Sequence, residues 1–524
     1  MAQGKYAREL DFVRSLRQAF AKAKTTPTTK ATLISLYRQL VTEGRLAANR
    51  RLAELLTKRA VRTLSGVSVI TVLTKPFVCP GKCVYCPTEP NMPKSYLSNE
   101  PAAMRAKLNL FDPYRQVTRR IQALENNGHQ VDKLEILVLG GTWSVYPDHY
   151  QDEFVRDMFY AANTFGQTEK RERLSLTAEQ NINEDTKYKI IGLTLETRPD
   201  YIHPTEIKKM RRLGTTRVQI GIQHTDNKIL DLIKRGHSLE TSIKATRMLK
   251  EAGFKVDHHY MPDLPGSTPA KDLAMFQYVF SSPDLQPDQI KIYPCVVNEY
   301  AELFAWYKKG DYKPFSEKQL LELLIKVKTL VPPYVRINRL IRDIPEESII
   351  AGNRITNLRQ YLQTELKKRG LLCQCIRCRE VRGDASELNK SILVRRDYQA
   401  SDGQEIFLSY ESPTNDKIYA FLRLRFNADP KENIFAELQG ASLVRELHVY
   451  GKMVPVYGDE AKDEGEAIGQ TQHLGFGKKL MAEAEKITRE KGLKKVAVIS
   501  GIGVRNYYRK LGYVLEGAYL TKNL

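Results

Sequence analysis

The sequence contains no run of eighteen apolar residues, and a helix that spans a membrane needs about that many. No apolar core follows the charges at its N-terminus, so we expect no secretory signal and no membrane association. Acidic residues are few, with 61 Asp and Glu against 82 Lys and Arg, for a formal net charge of +21. So large an excess of positive charge predicts an acidic partner, most simply nucleic acid. The alternative is a basic surface that contacts only solvent.

Cysteine is scarce, with seven residues in a chain of 524. The number is odd and six of the seven fall in two tight groups, which argues against a disulfide framework. Free thiols are typical of a reducing compartment, so we predict a cytoplasmic protein.

The first cysteine group has C-x3-C-x2-C spacing and consists of Cys79, Cys83 and Cys86. A loop of this size can bind three irons of a [4Fe–4S] cluster and leave the fourth iron open. An open iron can chelate S-adenosylmethionine, which is the radical-SAM arrangement, in which the cofactor supplies the chemistry. A zinc knuckle is the alternative, but zinc sites favour paired C-x2-C units.

Apolar segments alternate with helical patterns after residue 65. They cover residues 67–73, 134–139, 190–195, 217–222, 255–259 and 289–293. Such alternation predicts an α/β fold with a parallel sheet, open or closed into a partial (β/α) barrel. Ligands bind at the carboxyl ends of the strands in these folds, and polar or glycine residues follow most segments. The candidate contacts for S-adenosylmethionine are therefore Gly140, Gly141, Glu196, Arg198 and Gln223.

These candidates have structural alternatives. Glycines often only end a strand, Glu196 and Arg198 could form a structural ion pair, and His259 could line the same pocket. Arg235-Gly236-His237 follows a predicted helix and could be no more than its C-cap.

The first 65 residues carry nearly half of the net charge, with fourteen Lys and Arg against four acidic residues. Apolar residues recur there at helical spacing, so we predict a small helical module with a basic face that contacts phosphates. The alternative is a helical cap without a nucleic-acid role.

The second cysteine group has C-x-C-x2-C spacing and consists of Cys373, Cys375 and Cys378. Three thiolates so close favour a tetrahedral zinc with a fourth ligand from elsewhere, for which Cys295 or a histidine are candidates. A structural zinc between two domains is the favoured interpretation, and a second iron–sulfur cluster is the alternative.

The sequence after Gly383 predicts a different, α+β domain. A hairpin over residues 405–424 and a strand over 442–449 precede the motif Q-x-x-G-x-G at 472–477, which opens a helix. A glycine turn before a helix N-terminus is suited to a pyrophosphate, here that of coenzyme A, with Gly475 among its contacts. A tyrosine of the segment Asn506-Tyr507-Tyr508 could protonate the leaving thiol of a thioester.

The combined pattern resembles the catalytic subunit of the Elongator complex in its stand-alone microbial form, from about residue 66 to the C-terminus. Besides the first cysteine group, the resemblance is carried by Ser95-Tyr96, Val131-Asp132-Lys133, Gly140-Gly141-Thr142, Glu196-Thr197-Arg198-Pro199-Asp200-Tyr201, Met261-Pro262-Asp263-Leu264-Pro265, Lys291-Ile292-Tyr293-Pro294, Arg342-Asp343-Ile344-Pro345, Arg445-Glu446-Leu447-His448-Val449 and Val504-Arg505-Asn506-Tyr507-Tyr508. One departure is Pro87-Thr88-Glu89-Pro90, where the family usually has Pro-Gly-Gly-Pro, so the shape of the cluster rim is expected to differ.

The resemblance implies an activity. Such proteins start a carboxymethyl group at carbon 5 of the wobble uridine of tRNA, using acetyl-CoA and a 5′-deoxyadenosyl radical from S-adenosylmethionine. It implies that acetyl-CoA contacts Lys133, Glu446, Leu447, His448, Val449, Phe476, Gly477, Lys478 and Tyr508. The candidate catalytic residues are Tyr508, Tyr507 and Lys291, and tRNA is the expected partner without other Elongator subunits.

The resulting division has four parts. These are a basic helical tRNA-binding module (1–65), a radical-SAM domain (66–330), a zinc-bearing linker (331–385) and an acetyltransferase domain of the GNAT type (386–524). The main competing function is a protein lysine acetyltransferase in which the iron–sulfur half is a scaffold. Two further hypotheses are a non-catalytic RNA-binding protein and a radical-SAM enzyme that acts on a small metabolite.

Overall fold

Three helices form the N-terminal part of the computed structural model, which describes residues 9–57, 66–381, 387–450 and 475–524. They pack around a small core of Phe12, Ile34, Leu55 and Leu56. Arg38 Nη1 donates to the Glu125 carbonyl at 2.7 Å, so this helical module lies against the next part of the chain. The helices are α1 (Glu9–Lys22), α2 (Lys30–Thr42) and α3 (Arg50–Leu56).

Part of the predicted basic face lies outside the described residues. This applies to Lys58 and to the side chains of Arg50 and Arg51. The predicted loop over residues 458–469 and Gln472 of the glycine motif also fall outside them.

The first sheet has seven parallel strands whose spatial order follows their order in the chain. Parallel neighbours need crossover connections, which place helices on the outer face. The predicted partial barrel is therefore confirmed. The strands are β1 (Ser68–Leu73), β2 (Lys133–Leu139), β3 (Lys189–Thr197), β4 (Arg217–Gln223), β5 (Lys255–Tyr260), β6 (Gln289–Ile292) and β8 (Arg336–Arg339), and the short β7 (Val296–Val297) pairs with β9 (Ala351–Gly352).

Strand β8 lies beyond residue 330, inside the segment that the sequence assigned to the linker. It pairs with β6 through Gln289–Arg336 and Ile290–Ile337. Its backbone therefore belongs to the sheet of the barrel.

Helices connect these strands or follow the last of them, and several begin with a residue whose side chain caps the first turn. Asp112, Ser175, Ser238 and Thr268 each accept a hydrogen bond from a backbone N–H of the following first turn, which satisfies donors that the helix leaves free. The helices are α4 (Pro101–Leu108), α5 (Pro113–Asn126), α6 (Asp148–Thr164), α7 (Leu176–Asn183), α8 (Pro204–Arg212), α9 (Asn227–Leu232), α10 (Leu239–Glu251), α11 (Pro269–Ser281), α12 (Leu303–Lys309), α13 (Glu317–Leu330), α14 (Leu358–Lys368) and α15 (Ile376–Arg379). No helix in the described ranges combines the length and the apolar character needed to cross a bilayer.

The second sheet is antiparallel except for one parallel pair, β13 and β14. Its order is β10-β11-β12-β13-β14-β16-β15, and the predicted hairpin is β11–β12. The strands are β10 (Ile392–Gln399), β11 (Gly403–Glu411), β12 (Ile418–Asn427), β13 (Ala441–Val449), β14 (Lys495–Val498), β15 (Val514–Glu516) and β16 (Tyr519–Asn523), with helices α16 (Phe476–Glu490) and α17 (Arg505–Arg509).

The second sheet packs against the amino ends of the barrel strands. Arg211, in the connection before β4, donates to the Ser500 carbonyl at 2.9 Å. Tyr519 Oη donates to the carbonyl of Ala252, just before β5, at 2.7 Å, and Arg505 pairs with Glu184 ahead of β3 at 2.9 Å. A pocket at the carboxyl ends of the strands thus lies at the opposite end of the barrel from this contact.

Buried charges join the two sheets in what we call the seam cluster, which consists of Asp288, Glu405, Arg423, Arg425 and Arg445. Arg445 bonds to Asp288 Oδ1 at 3.0 Å and to Glu405 Oε1 at 2.8 Å. The side chains of this triad are fully shielded from solvent. Because a buried charge needs partners, these ion pairs hold the two sheets in one relative position.

Candidate active site

A cavity lies at the carboxyl ends of the barrel strands. Successive strands contribute Glu196, Gln223, His259 and Lys291 to its wall. The first cysteine group closes one side. Four of the five predicted contacts, Gly141, Glu196, Arg198 and Gln223, therefore line one cavity, as the position of strand ends in this fold class requires.

The three cysteines of the first group face this cavity. Cys83 is buried and Cys79 and Cys86 are half-buried. Cys83 Sγ lies 3.5 Å from Arg235 Nη1. The hydrogen bond from Cys86, together with the Arg235 charge, lowers the pKa of Cys83 to about 4, which favours the thiolate that binds iron.

The cavity wall also contains polar atoms that lack a partner among the described residues. They are Arg198 Nη1 and Gln223 Oε1. Leaving such buried atoms unpaired costs about 1–3 kcal/mol each. A polar ligand beside three thiols would satisfy them, so the residues present fit a cluster and S-adenosylmethionine.

The two glycines after β2 have different roles. Gly140 has φ of +138°, and a Cβ there would lie 1.8 Å from Thr74 Oγ1. Close packing against Thr74 thus explains Gly140 without a ligand. Gly141, with φ of +96°, lines the cavity itself.

Glu196 and Arg198 do not pair with each other. Arg198 forms two hydrogen bonds to Asp200, both at 2.9 Å, while Glu196 accepts one from Tyr96 Oη at 3.3 Å. Burial raises the pKa of Glu196. Both side chains keep atoms directed at the cavity, and the alternative of a mutual ion pair is wrong.

Lys291 lies at the floor of the cavity. Its Nζ donates to Gln219 Oε1, and His259 Nε2 lies 3.2 Å from the same oxygen. Burial lowers the pKa of Lys291 to about 8. Burial and the charge of Lys291 hold the pKa of His259 well below its ordinary value, so the imidazole is neutral at pH 7.

Sequence reasoning missed part of this wall. Arg235 is more than part of a helix C-cap: its backbone N–H donates to the Leu230 carbonyl at the end of α9 at 2.8 Å, and its guanidinium is buried against Cys83 and the Gly221 carbonyl. Tyr293 and Arg342 also line the cavity. Their positions after β6 and β8 were the available signal, but a single arginine or tyrosine at a strand end is not diagnostic.

The predicted acetyl-CoA residues lie in a second region. Strands β13 and β14 pair only over residues 441–444 and 495–498, so β13 extends beyond its parallel neighbour from Arg445 onward. Glu446 accepts from Arg423 Nε at 2.9 Å and lies 3.8 Å from Lys255 of the barrel. His448 Nε2 is buried and has no partner among the described residues.

Helix α16 begins beside the end of β13. Gly475, with φ of +67°, precedes it, and a Cβ on Gly477 would lie 2.6 Å from Tyr507 Oη and 3.7 Å from Val449 Cγ2. The structure thus brings Val449, Gly477 and Tyr507 together. Phe476 packs on Tyr410 with centroids 4.4 Å apart, and Lys478 is exposed.

The candidate catalytic residues are divided between the two regions. Lys291 belongs to the cavity at the carboxyl ends of the barrel strands. Tyr507 and Tyr508 lie in helix α17, between strands β14 and β15 of the second sheet. Tyr508 is buried and its ring centroid lies 5.2 Å from that of Tyr507. Lys133 is the first residue of β2, at the barrel end that the second sheet covers.

The second cysteine group forms a compact cluster of thiols. The sulfurs of Cys373, Cys375 and Cys378 lie within 4.8 Å of one another, and Lys328 Nζ is 3.8 Å from Cys378 Sγ. Cys295 lies in a separate core with Leu264 and Tyr312, so its suggested role as fourth ligand is wrong. Within the described part of the chain, no histidine joins the group either.

The fold and the cavity define the class of radical-SAM enzymes. Residues 75–276 match the Radical SAM superfamily, and residues 287–368 match the Radical_SAM C-terminal domain. A radical-SAM domain implies S-adenosylmethionine and a [4Fe–4S] cluster, which agrees with the three thiols and the unpartnered polar atoms of the cavity.

Similarity to individual proteins is much more extensive. The chain is 44% identical over 487 residues to the tRNA uridine(34) acetyltransferase of Methanocaldococcus infernus, covering 90% of this chain and 88% of that protein. It is 40% identical over 494 residues to Elongator complex protein 3 of Homo sapiens, covering 90% and 86%. The solved structure of the archaeal Methanocaldococcus infernus Elp3 with an N-terminus deletion has a TM-score of 0.75 at 41% identity, over 88% of this chain and 100% of that one. The chain belongs to the family of tRNA uridine(34) acetyltransferases and Elongator complex protein 3.

Proposed function

We propose that this protein modifies the wobble uridine of tRNA at carbon 5, starting a carboxymethyl group from acetyl-CoA with the help of S-adenosylmethionine. The observation that carries the proposal is the cavity with three thiols and unpartnered polar atoms, in a chain whose relatives are named for uridine 34 of tRNA. A lysine acetyltransferase with an iron–sulfur scaffold is not favoured, because a scaffold has no use for such a cavity.

The first site binds the radical-generating cofactors. Cys79, Cys83 and Cys86 would hold three irons of the cluster, which would supply reducing chemistry to S-adenosylmethionine when bound. Gly141, Glu196, Arg198 and Gln223 bind this second cofactor, with Gly140 supporting the turn. Lys291, whose pKa is lowered to about 8 by burial, can hold or release a proton near neutral pH.

The second site binds acetyl-CoA. Its residues come from the barrel, from β13 and from the start of α16. They are Lys133 of the barrel, Glu446, Leu447, His448 and Val449 of β13, and Gly475, Phe476, Gly477 and Lys478 at the start of α16. Backbone N–H groups at the N-terminus of α16 bind the pyrophosphate. Tyr508 donates a proton to the thiolate that leaves when the thioester is hydrolysed, and Tyr507 positions it.

The second cysteine group holds a structural zinc in this proposal. Cys373, Cys375 and Cys378 supply three of the four ligands that tetrahedral zinc needs. Helix α15 and β8 contact each other beside it, so the metal would fix the connection between the barrel and the second sheet.

The tRNA partner explains the net charge of +21. A wobble base must leave the anticodon stack to reach a recessed site, and a basic surface holds the stem meanwhile. We expect a protein that acts in the cytoplasm without further Elongator subunits. Reversing the charges at Arg50, Arg51 and Lys58 should weaken tRNA binding and flatten its salt dependence, and unchanged affinity would remove the helical module from the interface.

The deciding experiment is acetyl-CoA hydrolysis by the purified protein, measured with and without tRNA. Hydrolysis that appears only with tRNA supports the proposal, since it links both halves to one substrate. Hydrolysis indifferent to tRNA, or acetyl transfer to protein lysines, would favour the lysine acetyltransferase hypothesis instead.

A further inference from the structure

The interior of the barrel is polar. Side chains alternate along a strand, and in β4 the residues Val218 and Ile220 face the outer core while Arg217 and Gln219 point inwards. Closed parallel barrels usually fill this space with branched apolar residues. We call the polar set the lumen column, and it consists of Glu135, Arg217, Gln219, Asp257, Gln289 and Asn338.

The upper end of the column touches the radical-SAM cavity. Gln219 Oε1 accepts from Lys291 Nζ and lies 3.2 Å from His259 Nε2. Lys291 and His259 line the cavity, whereas Gln219, Asp257 and Arg217 do not. Gln219 is therefore the first residue below the floor of the cavity.

The middle of the column is a chain of direct hydrogen bonds. Asn338 Nδ2 donates to Asp257 Oδ2 at 2.7 Å and to Gln289 Oε1 at 2.6 Å. Arg217 Nη1 donates to the same Gln289 oxygen at 3.0 Å and its Nη2 lies 2.7 Å from Glu135 Oε1. These contacts connect strands of the barrel across its interior.

The lower end meets the second sheet. Lys255, the first residue of β5, lies 3.8 Å from Glu446 Oε1 of β13. His259 stands four residues further along β5, about 13 Å away at the rise of a strand. One strand thus reaches from the cavity to the proposed acetyl-CoA residues.

Asp257 occupies the centre of this arrangement. It is fully buried, and its Oδ1 has no hydrogen-bond partner among the described residues. Burial raises the pKa of Asp257, and the negative charge of Glu135 raises it further. The positive charges of Lys291 and Arg217 and the hydrogen bond from Asn338 lower it. The carboxyl group thus responds to charge both above and below it.

We infer that the lumen column couples the two sites, so that a ligand bound at one end of the barrel changes the affinity for a ligand at the other. Asp257 and Arg217 are its positioning residues. Asp257 acts on the charge of Lys291 at the top, and Arg217 acts through its ion pair with Glu135, whose carboxyl group also interacts with the charge of Lys255 at the bottom. Charges in a column that is largely buried interact strongly because water screens them little. The inference rests on the proposed function, since it needs acetyl-CoA at the lower end.

The test is titration calorimetry on the full-length, cluster-loaded protein. Coenzyme A is titrated with and without S-adenosylmethionine, and S-adenosylmethionine is then titrated with and without coenzyme A. Linkage requires that each ligand changes the Kd of the other by the same factor. We expect S-adenosylmethionine to change the Kd of coenzyme A by about fivefold or more in the unmodified protein. Asp257→Asn and Arg217→Gln should reduce this change to less than about twofold without abolishing either binding event.

His258→Gln is the matched control. His258 is the next residue of β5, is equally buried and faces Thr246 of α10 at 3.1 Å instead of the lumen. It should keep the full change in Kd. If Asp257→Asn fails to fold, Asn338→Ala removes the hydrogen bond to Asp257 together with the one to Gln289, and it should also reduce the coupling.

Two results would overturn the inference. One is an unchanged coupling factor in Asp257→Asn, and the other is an unmodified protein that binds both ligands independently. Failure of the unmodified protein to bind coenzyme A at all is a different outcome, since it would refute the proposed acetyl-CoA site itself and the coupling with it.

Discussion

Removal of Asp288 should destabilise the protein strongly. Asp288 lies just before β6 and bonds to Arg445 of the second sheet at 3.0 Å, with Arg423 Nη1 3.7 Å away. The side chains of Asp288 and Arg445 are fully buried. In Asp288→Ala, Arg445 and Arg423 therefore lose a carboxylate partner in a place that water does not reach.

The expected loss is about 3–5 kcal/mol in the free energy of unfolding, the range for breaking a buried ion pair by removing one partner. Although burial opposes it, the charges of Arg445, Lys250 and Arg423 hold the pKa of Asp288 below its ordinary value. A carboxyl group with a lowered pKa stabilises the fold above its unfolded pKa of about 3.9, and this stabilisation is lost as the pH falls. The difference between the variant and the unmodified protein should thus shrink under acidic conditions.

Urea unfolding followed by circular dichroism at pH 7 measures the effect. Asp152→Ala is the matched control, because Asp152 forms a two-pronged ion pair with Arg212, at 2.6 and 3.0 Å, on the surface. An exposed pair contributes about 0–1 kcal/mol. Equal losses of unfolding free energy in the two variants would refute the reasoning, because burial would then have no influence on how much an ion pair stabilises the fold.

Other predictions concern the sites. Cys83→Ala should lose the cluster and the cleavage of S-adenosylmethionine while tRNA binding persists, as measured by iron content and a binding assay. The control Cys295→Ala should keep its iron. Loss of tRNA binding together with the cluster would contradict the separation of roles. Tyr508→Phe should slow acetyl-CoA hydrolysis about 100-fold, the lower range for a lost general acid, with an unchanged Kd for coenzyme A, and an equal effect of Tyr513→Phe would exclude a specific role. Burial lowers the pKa of Lys291 to about 8, so the unfolded chain binds more protons between pH 8 and 10 and stability should rise with pH there. Urea unfolding at pH 7.5 and 9.5 should show a smaller rise in Lys291→Met, and an identical rise would mean that Lys291 is not the group responsible.

Local patterns in the sequence were sufficient for six of the seven strands of the barrel. The alternation of apolar segments with helical patterns predicts the parallel strands, since each strand must bury its outer face under helices. The spacing of Cys79, Cys83 and Cys86 predicts their convergence, because a short loop can bring only near neighbours together. Both patterns depend on residues a few positions apart, so no distant contact is needed to interpret them.

Pairings between distant residues could not be predicted in this way. Arg235 lies 152 positions from Cys83, and its contact depends on how β4 and the cysteine loop meet at one edge of the sheet. The sequence left a mutual ion pair of Glu196 and Arg198 open as an alternative, whereas the partners are Tyr96 and Asp200. A strand end determines where a side chain begins but not which neighbour it reaches.

The sequence by itself determined the class of fold, the positions of the thiols and the residues at the strand ends, because these depend on periodicity and short spacing. Only the tertiary structure decided that the second sheet covers the amino ends of the barrel and that polar side chains fill the lumen between the two regions. The reason is that inward and outward faces of a buried strand are both shielded from water. Arg217 and Asp257 are recognisable as interior residues only when the curvature of the sheet is known.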